Sequence, residues 1–325
     1  MKPRQLALVS VAGLLAACGD APKPAARKTT PREVVEETPP PINRLVFGGD
    51  VMFSRHVYEK YTAAKDPALP FRKIADFFKS ADLAFVNLES PFSDKGRPPL
   101  KGMVFKAPTE SIEGLKLAGI DVVSTANNHT RDQQEYGILY TLDHLAKNGI
   151  AAVGTGKDEA AARKGAVIER NGVKFGFLAY TYDQRNGNHP TDDNRINGLD
   201  IVRLREDVAD IRKRSNVTIV SMHAGVEYAK EPHPMQQQFA RAAIEANATL
   251  VIGHHPHVTQ PCEEYRTGVI CYSLGNLVFD QTAPGTNDGL VVEAEFKGFS
   301  LRKLRTHKIR IVDTQPVLVP KAEKK

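Results

Sequence analysis

The sequence predicts a layered α/β domain over residues 44–313. Short apolar runs of strand character alternate with segments of helical spacing as far as residue 257, and the C-terminal part beyond it reads as β strands and hairpins. Successive apolar runs also finish on Asp, Asn, Glu or His, so the elements share a functional edge as well as a core.

The elements follow in order. Residues 45–47 form a strand, with Gly48-Gly49-Asp50 read as a turn at its end. Residues 71–78 have helical spacing. Residues 83–86 form a strand ending in Asn87 and Glu89. A short helix spans 111–117, capped by Ser111 and stopped by Gly119. Residues 122–126 form a strand that ends in Asn127-Asn128-His129. A longer helix spans 132–147, with Ile138, Leu142 and Leu145 on one face and Gly149 beyond its end. A short strand follows at 151–153, then a hairpin over 167–179 around Asn171-Gly172. Residues 182–199 are polar and turn-rich, a surface loop. A helix at 201–215, a strand at 217–222 ending in His223, and a helix at 235–246 lead to the run Leu250-Val251-Ile252-Gly253-His254-His255-Pro256-His257. There a glycine closes a buried strand, and three of the chain's 10 histidines crowd together. In an extended segment, His255 and His257 lie on the same side. Strands at 269–272, 277–279, 290–296 and 308–312 complete the domain, followed by a basic tail over 314–325.

The chain has 325 residues, 25% charged and 41% hydrophobic, with a net charge of +6. This is a globular balance. Much of the positive excess sits at the two ends, and no basic stripe with interleaved aromatics is present, so nucleic acid is not an expected partner. At the N-terminus, Lys2 and Arg4 precede a short apolar stretch over 6–15 and then Leu15-Ala16-Ala17-Cys18. The order resembles a bacterial lipobox, with Cys18 the lipidated residue of a signal peptide over 1–18. An ordinary signal peptide cleaved after Ala17 is the competing reading. Gly19 after the cysteine fits outer-membrane sorting in a Gram-negative cell. The expectation is an extracytoplasmic protein, lipid-anchored to the cell envelope. Residues 19–43 are proline-rich and form a tether. Cys262 and Cys271 flank a turn at Thr267-Gly268. A disulfide is expected in an exported protein, against two separate core cysteines.

The strand ends carry the chemistry. Asp50, Asn87 with Glu89, Asn128 with His129, His223, and the histidine cluster each finish an apolar run, and together they fit a polynuclear metal site. The runs Gly49-Asp50-Val51-Met52, Asn87-Leu88-Glu89, Ala126-Asn127-Asn128-His129, Met222-His223-Ala224-Gly225-Val226-Glu227, Gly253-His254-His255-Pro256-His257 and Tyr272 to Asp280 resemble the CapA family of poly-γ-glutamate capsule synthesis. That family is similar to the calcineurin-like metallophosphoesterases. The resemblance spans residues 44–295.

The resemblance implies a metallophosphoesterase-like β-sandwich flanked by helices, in four α/β/β/α layers. It also implies one or two divalent metal ions of Mn, Fe or Zn type. Their ligands would be Asp50 and His257 on the first ion, Asn128, His223 and His255 on the second, and Glu89 at the bridging position, with His129 as general acid. Glu89 stands where metallophosphoesterases carry Asp, and Met52 stands where they carry a His ligand. His56, Glu227 or Asn276 could fill that place. Arg55, Lys106 and Arg131 are candidates to hold an anionic substrate. Asn87, Glu227, His254 and Asn276 are candidate supports behind the ligands.

Two function classes stand. One is a metal-dependent hydrolase or transferase acting on phosphoester or γ-amide bonds of an envelope polymer. The other is a non-catalytic, membrane-tethered subunit that binds an anionic polymer beside synthetase or export components. The Met52 departure favours the second, and the Asn128-His129 and His255/His257 pairs favour the first. A nuclease is disfavoured by export.

Overall fold

The computed structural model describes residues 40–96, 102–181 and 193–320. The expected lipobox at Cys18, the tether as far as residue 39, and residues 182–192 of the expected loop lie outside the described residues.

Two β-sheets pack face to face. In the first, β1 (Ile42–Val51), β2 (Leu83–Leu88), β3 (Val122–Ser124) and β4 (Ala151–Val153) run parallel. On the other side of β1 the sheet continues antiparallel through β12 (Asp288–Lys297), β13 (Ser300–Val312) and β14 (Gln315–Leu318). The short β11 (Asn276–Val278) pairs with the end of β1, opposing Asn276 to Asp50. The second sheet runs β5 (Ala166–Arg170), β6 (Val173–Thr181), β7 (Val217–His223), β8 (Leu250–His254), β10 (Gly268–Leu274), β9 (Thr259–Tyr265).

Strand alternation builds three cores. Successive β1 side chains point to opposite faces. Leu45 and Phe47 therefore enter the space between the sheets with Phe85, Phe175, Phe177, Ile219 and Ile252. Phe85 and Phe177 stack across that space, with ring centroids 5.9 Å apart. Val46, Val86 and Val123 face outward against Phe71, Phe78, Leu115 and Leu145. These come from the layer of α1 (Arg55–Ala63), α2 (Ala75–Lys79), α3 (Ile112–Ala118) and α4 (Gln134–Lys147) and their connections. On the far side, Val220, Met222 and Val251 pack under α6 (Ile201–Arg212) and α7 (Pro234–Glu245) through Leu204, Val208, Phe239 and Ala243. The four α/β/β/α layers are those expected. Both sheets lack the strict polar alternation of a solvated face because each is covered twice.

Several local expectations need correction. Gly48-Gly49 is no turn, since β1 continues through it to Val51. A Cβ on Gly49 would lie 1.9 Å from the Gly275 carbonyl oxygen, so the glycine is required by the close approach of the chain entering β11. Gly253 likewise sits inside β8, where a Cβ would lie 1.9 Å from the Tyr272 oxygen. Ser111 caps nothing; its hydroxyl instead bonds the Tyr61 hydroxyl at 2.8 Å. Helix α4 starts at Gln134, because Asp132 is drawn into the site below. Helices α1 and α5 (Glu159–Lys164) add to the expected set. β13 begins eight residues before its expected start, at Ser300, and β14 occupies part of the expected tail. Both strands lie at the sheet margin, where charged side chains reach solvent and mask the strand pattern.

The hairpin around Asn171-Gly172 forms as expected, with φ of 46° and 75° at its two turn residues. Cys262 and Cys271 face each other across β9 and β10 and form a disulfide. The reading of two separate core cysteines is thereby excluded.

Candidate metal centre

The C-terminal ends of β1 and β2, the loop after β3, and the ends of β7 and β8 converge at one edge of the two sheets. The first sheet delivers Asp50, Asn87, Glu89, Asn128 and His129. The second delivers His223, His254, His255 and His257. All are buried, and Asp50, Glu89, His223 and His254 are fully so.

Two foci are visible. At the first, Asp50, Glu89 and His257 each offer one ligand atom, all within 4.8 Å of one another. His257 Nε2 lies 3.7 Å from Glu89 Oε1, and His257 Nδ1 lies 3.5 Å from Asp50 Oδ2. At the second, His223 Nε2 lies 2.8 Å from Asn128 Oδ1 and 3.1 Å from His255 Nδ1. His255 and His257 therefore serve different foci. They do not lie on the same side of an extended segment, as their spacing suggested. Both have left-handed backbones, with φ of 97° and 58°, and this turns the two rings apart.

The surrounding residues orient these groups. Asn87 Nδ2 donates to Asp50 Oδ1 at 2.8 Å, and the His255 backbone N–H donates to Asp50 Oδ2 at 3.2 Å. His254 Nδ1 lies 3.4 Å from Asp50 Oδ1. Asn276 Nδ2 donates to the Thr286 carbonyl and to Gln281 Oε1, so its Oδ1 is left to accept from His257 Nδ1 at 2.9 Å. In the neutral His257 ring the proton therefore sits on Nδ1, and Nε2 presents a lone pair towards Glu89.

That lone pair meets a second acceptor, because both Glu89 oxygens are buried without a hydrogen-bond partner. Two acceptors facing each other across a buried gap call for a cation. Electrostatics agree with this. Burial, and then the charges of Asp50 and Glu227, push the Glu89 carboxyl well above its ordinary range. Burial also works to raise Asp50, but His254 and His257 outweigh it and hold Asp50 well below. Burial and neighbouring imidazoles keep His223 and His255 neutral, with His255 down to about 3. Neutral imidazoles, carboxylates and an amide oxygen suit a borderline divalent ion.

His129 stands beside both Glu89 and a carboxylate that the sequence pattern does not single out. Its Nε2 lies 3.9 Å from Glu89 Oε1, while its Nδ1 lies 2.6 Å from Asp132 Oδ2. Phe105 stacks on the His129 ring at 3.9 Å. Asn127 is a second residue with a role that the pattern leaves unassigned. It accepts the His129 backbone N–H through Oδ1 and donates to the Leu88 carbonyl through Nδ2, tying two ligand-bearing loops together. An acid three residues after a histidine that ends a strand is the available signal for Asp132.

Other predicted residues are placed differently. Met52 belongs to the helix-side core, and its sulfur accepts the Ser54 N–H at 2.9 Å. His56 is exposed and 3.2 Å from Glu59, so it does not replace the missing ligand. Asn276 does not replace it either, since it orients His257. Glu227 lies on the loop after β7 and has no hydrogen-bond or ion-pair partner among the described residues. Arg55 pairs with Asp280 and lies over the Phe105 and Phe279 rings at 4.9 and 5.6 Å. Lys106 shares with Arg55 a cleft of about 520 Å³, and its ammonium donates to the Lys95 carbonyl at 2.5 Å. Arg131 is committed to Asp193, which it and Arg195 hold below the ordinary range against the effect of burial. It holds a loop, and a substrate role would require breaking that pair.

Residues 44–281 match the family model described as bacterial capsule synthesis protein PGA_cap. The chain is similar to the PGA biosynthesis protein CapA of Bacillus subtilis (strain 168), 32% identical over 283 residues, covering 85% of this chain and 73% of that protein. It is also similar to the capsule biosynthesis protein CapA of Bacillus anthracis, 29% identical over 290 residues, covering 86% and 68%. A crystal structure of a hypothetical protein from Thermus thermophilus shares the fold with a TM-score of 0.55 at 16% identity, covering 82% of this chain and 98% of that one.

Proposed function

The chain belongs to the family of bacterial capsule synthesis proteins, and from that premise we propose that it is an accessory protein of anionic envelope-polymer synthesis with a metal-dependent hydrolase site. The polymer is of the poly-γ-glutamate type, as the names of the CapA relatives suggest. The protein works at the membrane beside synthetase or export components, tethered through Cys18. Replacement of Cys18 by Ser should move it from the membrane fraction to the soluble fraction; an unchanged distribution rejects the tether.

One observation carries the hydrolase reading: both Glu89 oxygens are buried without a hydrogen-bond partner, and His257 Nε2 faces one of them at 3.7 Å. Asp50, Glu89 and His257 would hold one divalent ion; His223, His255 and Asn128 are placed for a second. Bound there, such ions supply Lewis-acid polarisation of the scissile group.

The chain's own residues do the rest. Asp132 fixes the His129 tautomer by accepting from Nδ1, which turns Nε2 towards the cluster. With Nδ1–H held by Asp132, Nε2 can take up a second proton, and the resulting imidazolium, paired with Asp132, would deliver that proton to the leaving oxygen or nitrogen. Phe105 covers one face of the imidazole and keeps water from it. Asn87 and the His255 N–H aim Asp50, while His254 and His257 keep it ionised.

The test is metal analysis of the purified protein together with hydrolysis of γ-linked polyglutamate and of an aryl phosphodiester. Near-stoichiometric metal and loss of turnover in His129→Ala are expected. Stoichiometric metal with no His129-dependent turnover on either substrate favours the polymer-binding subunit, to which the buried Met52 already points. Absence of bound metal rejects the site.

A further inference from the structure

The mouth of the metal cluster has two walls of opposite charge. The first sheet supplies Arg55. It opens α1 with a left-handed backbone, φ 50°, an uncommon conformation for a long side chain. Its guanidinium lies across Phe105 and Phe279, whose rings in turn stand 3.9 Å from His129 and 4.8 Å from His257. Asp280 fixes the guanidinium from one side and Met103 Sδ accepts from Nη1 at 3.1 Å, while the side chain stays 28% exposed, so its Nη groups face the mouth with hydrogens to spare.

The second sheet supplies Glu227 and Tyr228, on the loop after β7. Tyr228 is 46% exposed although aromatic. Its φ is 66°, a strained value for a bulky residue, and its ring stands 6.3 Å from that of His257. The strain persists because the loop is pinned at several points. The Tyr228 N–H donates to the Pro256 carbonyl at 2.8 Å, and Gln281 donates to the Tyr228 hydroxyl at 3.3 Å. Behind it, buried Gln260 donates to the Ala229 and Glu231 carbonyls at 2.9 and 3.1 Å and accepts from Gln236 at 3.1 Å. Gly225 lies against that amide network, where a Cβ would come within 2.7 Å of Gln236.

The pinned loop presents a half-buried carboxylate that nothing within the described residues satisfies. Placing an unpaired acid beside an already acidic cluster costs stability, and such a cost marks a ligand-facing group. The opposing fields of Glu227 and Arg55 both reach Glu89 and Tyr228.

We infer that Arg55, Glu227 and Tyr228 select the substrate by reading a carboxylate and an N–H donor carried on one carbon. Arg55 takes the carboxylate and Glu227 accepts the N–H, while Tyr228 packs against the methylene chain. The inference rests on the polymer reading above and narrows it. In a γ-linked glutamate chain every internal residue carries its free carboxylate on the same carbon as its amide nitrogen. In an α-linked chain the free carboxylate is at the end of the side chain, remote from that nitrogen.

The experiment is calorimetric titration of the full-length, metal-supplemented protein in detergent with γ-linked and α-linked hexaglutamate, with metal content measured in the same samples. The wild type should prefer the γ-linked chain by about tenfold or more, the effect of one hydrogen bond to a charged group. Glu227→Gln should keep its metal and lose most of that preference. Tyr228→Ala should weaken both chains, and Tyr228→Phe should restore most of the loss. Equal affinities in the wild type, or an unchanged preference in Glu227→Gln, overturn the inference. Preference without bound metal rejects the hydrolase site and leaves the mouth standing; metal without preference does the reverse.

Discussion

His129 Nδ1 lies 2.6 Å from Asp132 Oδ2, and this contact decides which ring nitrogen faces Glu89 and the candidate ligand cluster. The same carboxylate oxygen accepts the Phe105 backbone N–H at 2.5 Å, so one buried acid sets both the tautomer and the ring stacked on it. In Asp132→Asn the amide oxygen can accept only part of this load. Turnover should fall about 10- to 100-fold, as for other residues that orient a site from behind, while metal content holds. A kcat against pH profile separates this from misfolding: an orienting role lowers the plateau and shifts its limb, whereas a packing defect lowers melting temperature first.

Glu89 gives a prediction of opposite sign for stability and for binding. Its folded pKa lies well above 4.5, owing first to burial and then to Asp50 and Glu227. A raised carboxyl pKa means the folded state holds the proton more tightly than the unfolded state. Stability is then greatest below the unfolded value and falls as pH climbs towards the folded one. Metal-free Glu89→Gln should therefore be more stable than metal-free wild type at neutral pH, by about 1–3 kcal/mol, the cost of a buried unsatisfied group. The advantage should vanish near pH 4. The variant should also lose the metal-induced rise in melting temperature. A destabilised metal-free Glu89→Gln would falsify the unsatisfied-carboxylate picture.

Glu293, far from the site, should behave the other way. Burial works to raise its pKa, but Arg44 and Arg305 outweigh it and hold it below 4.5. Arg44 Nη2 lies 3.2 Å from one oxygen and Arg305 Nη1 2.5 Å from the other. A depressed pKa contributes stability above the unfolded value that is lost as pH falls through the folded one. Glu293→Gln should cost about 1 kcal/mol at pH 7, given partly exposed partners. Urea unfolding at pH 7 and pH 3 should show that difference shrinking; a constant difference means the loss is one of packing alone.

The Cys262–Cys271 bridge ties the sheet-edge strand β9 to β10. Closing so short a loop constrains the unfolded chain by about 2–3 kcal/mol. The double Cys→Ser variant should unfold at correspondingly lower urea, and reductant should bring the wild type to the same midpoint. A variant as stable as the oxidised wild type removes the bridge from the account of β9.

The class of fold and most of the candidate ligand set follow from the sequence alone. Buried parallel strands read as unbroken apolar runs, and a polar residue at the end of such a run has few places to go except the sheet edge. Asp50, Asn87, Glu89, Asn128, His129, His223, His255 and His257 are legible on that ground. The family resemblance already assigns His255 and His257 to different ions, but how the chain separates them is a matter of tertiary structure. His255 and His257 are two residues apart in the chain, but left-handed backbone at both sends the rings to separate foci, and local spacing does not encode that turn.

Which charges are available is likewise settled by long-range contacts. Arg131 and Arg55 look alike in sequence and each is paired with an acid, but Asp193 holds the first at a loop, while Asp280 holds the second at the mouth, across two rings. Gly49 and Gly253 read as turns because a glycine's need for space is set by a strand distant in the chain. The sequence leaves Asp132 without a role and Asn276 with an ambiguous one, since orienting a ring requires only one oxygen at the right distance. Spacing shows which groups can reach an edge; their partners there depend on contacts between segments far apart in the chain.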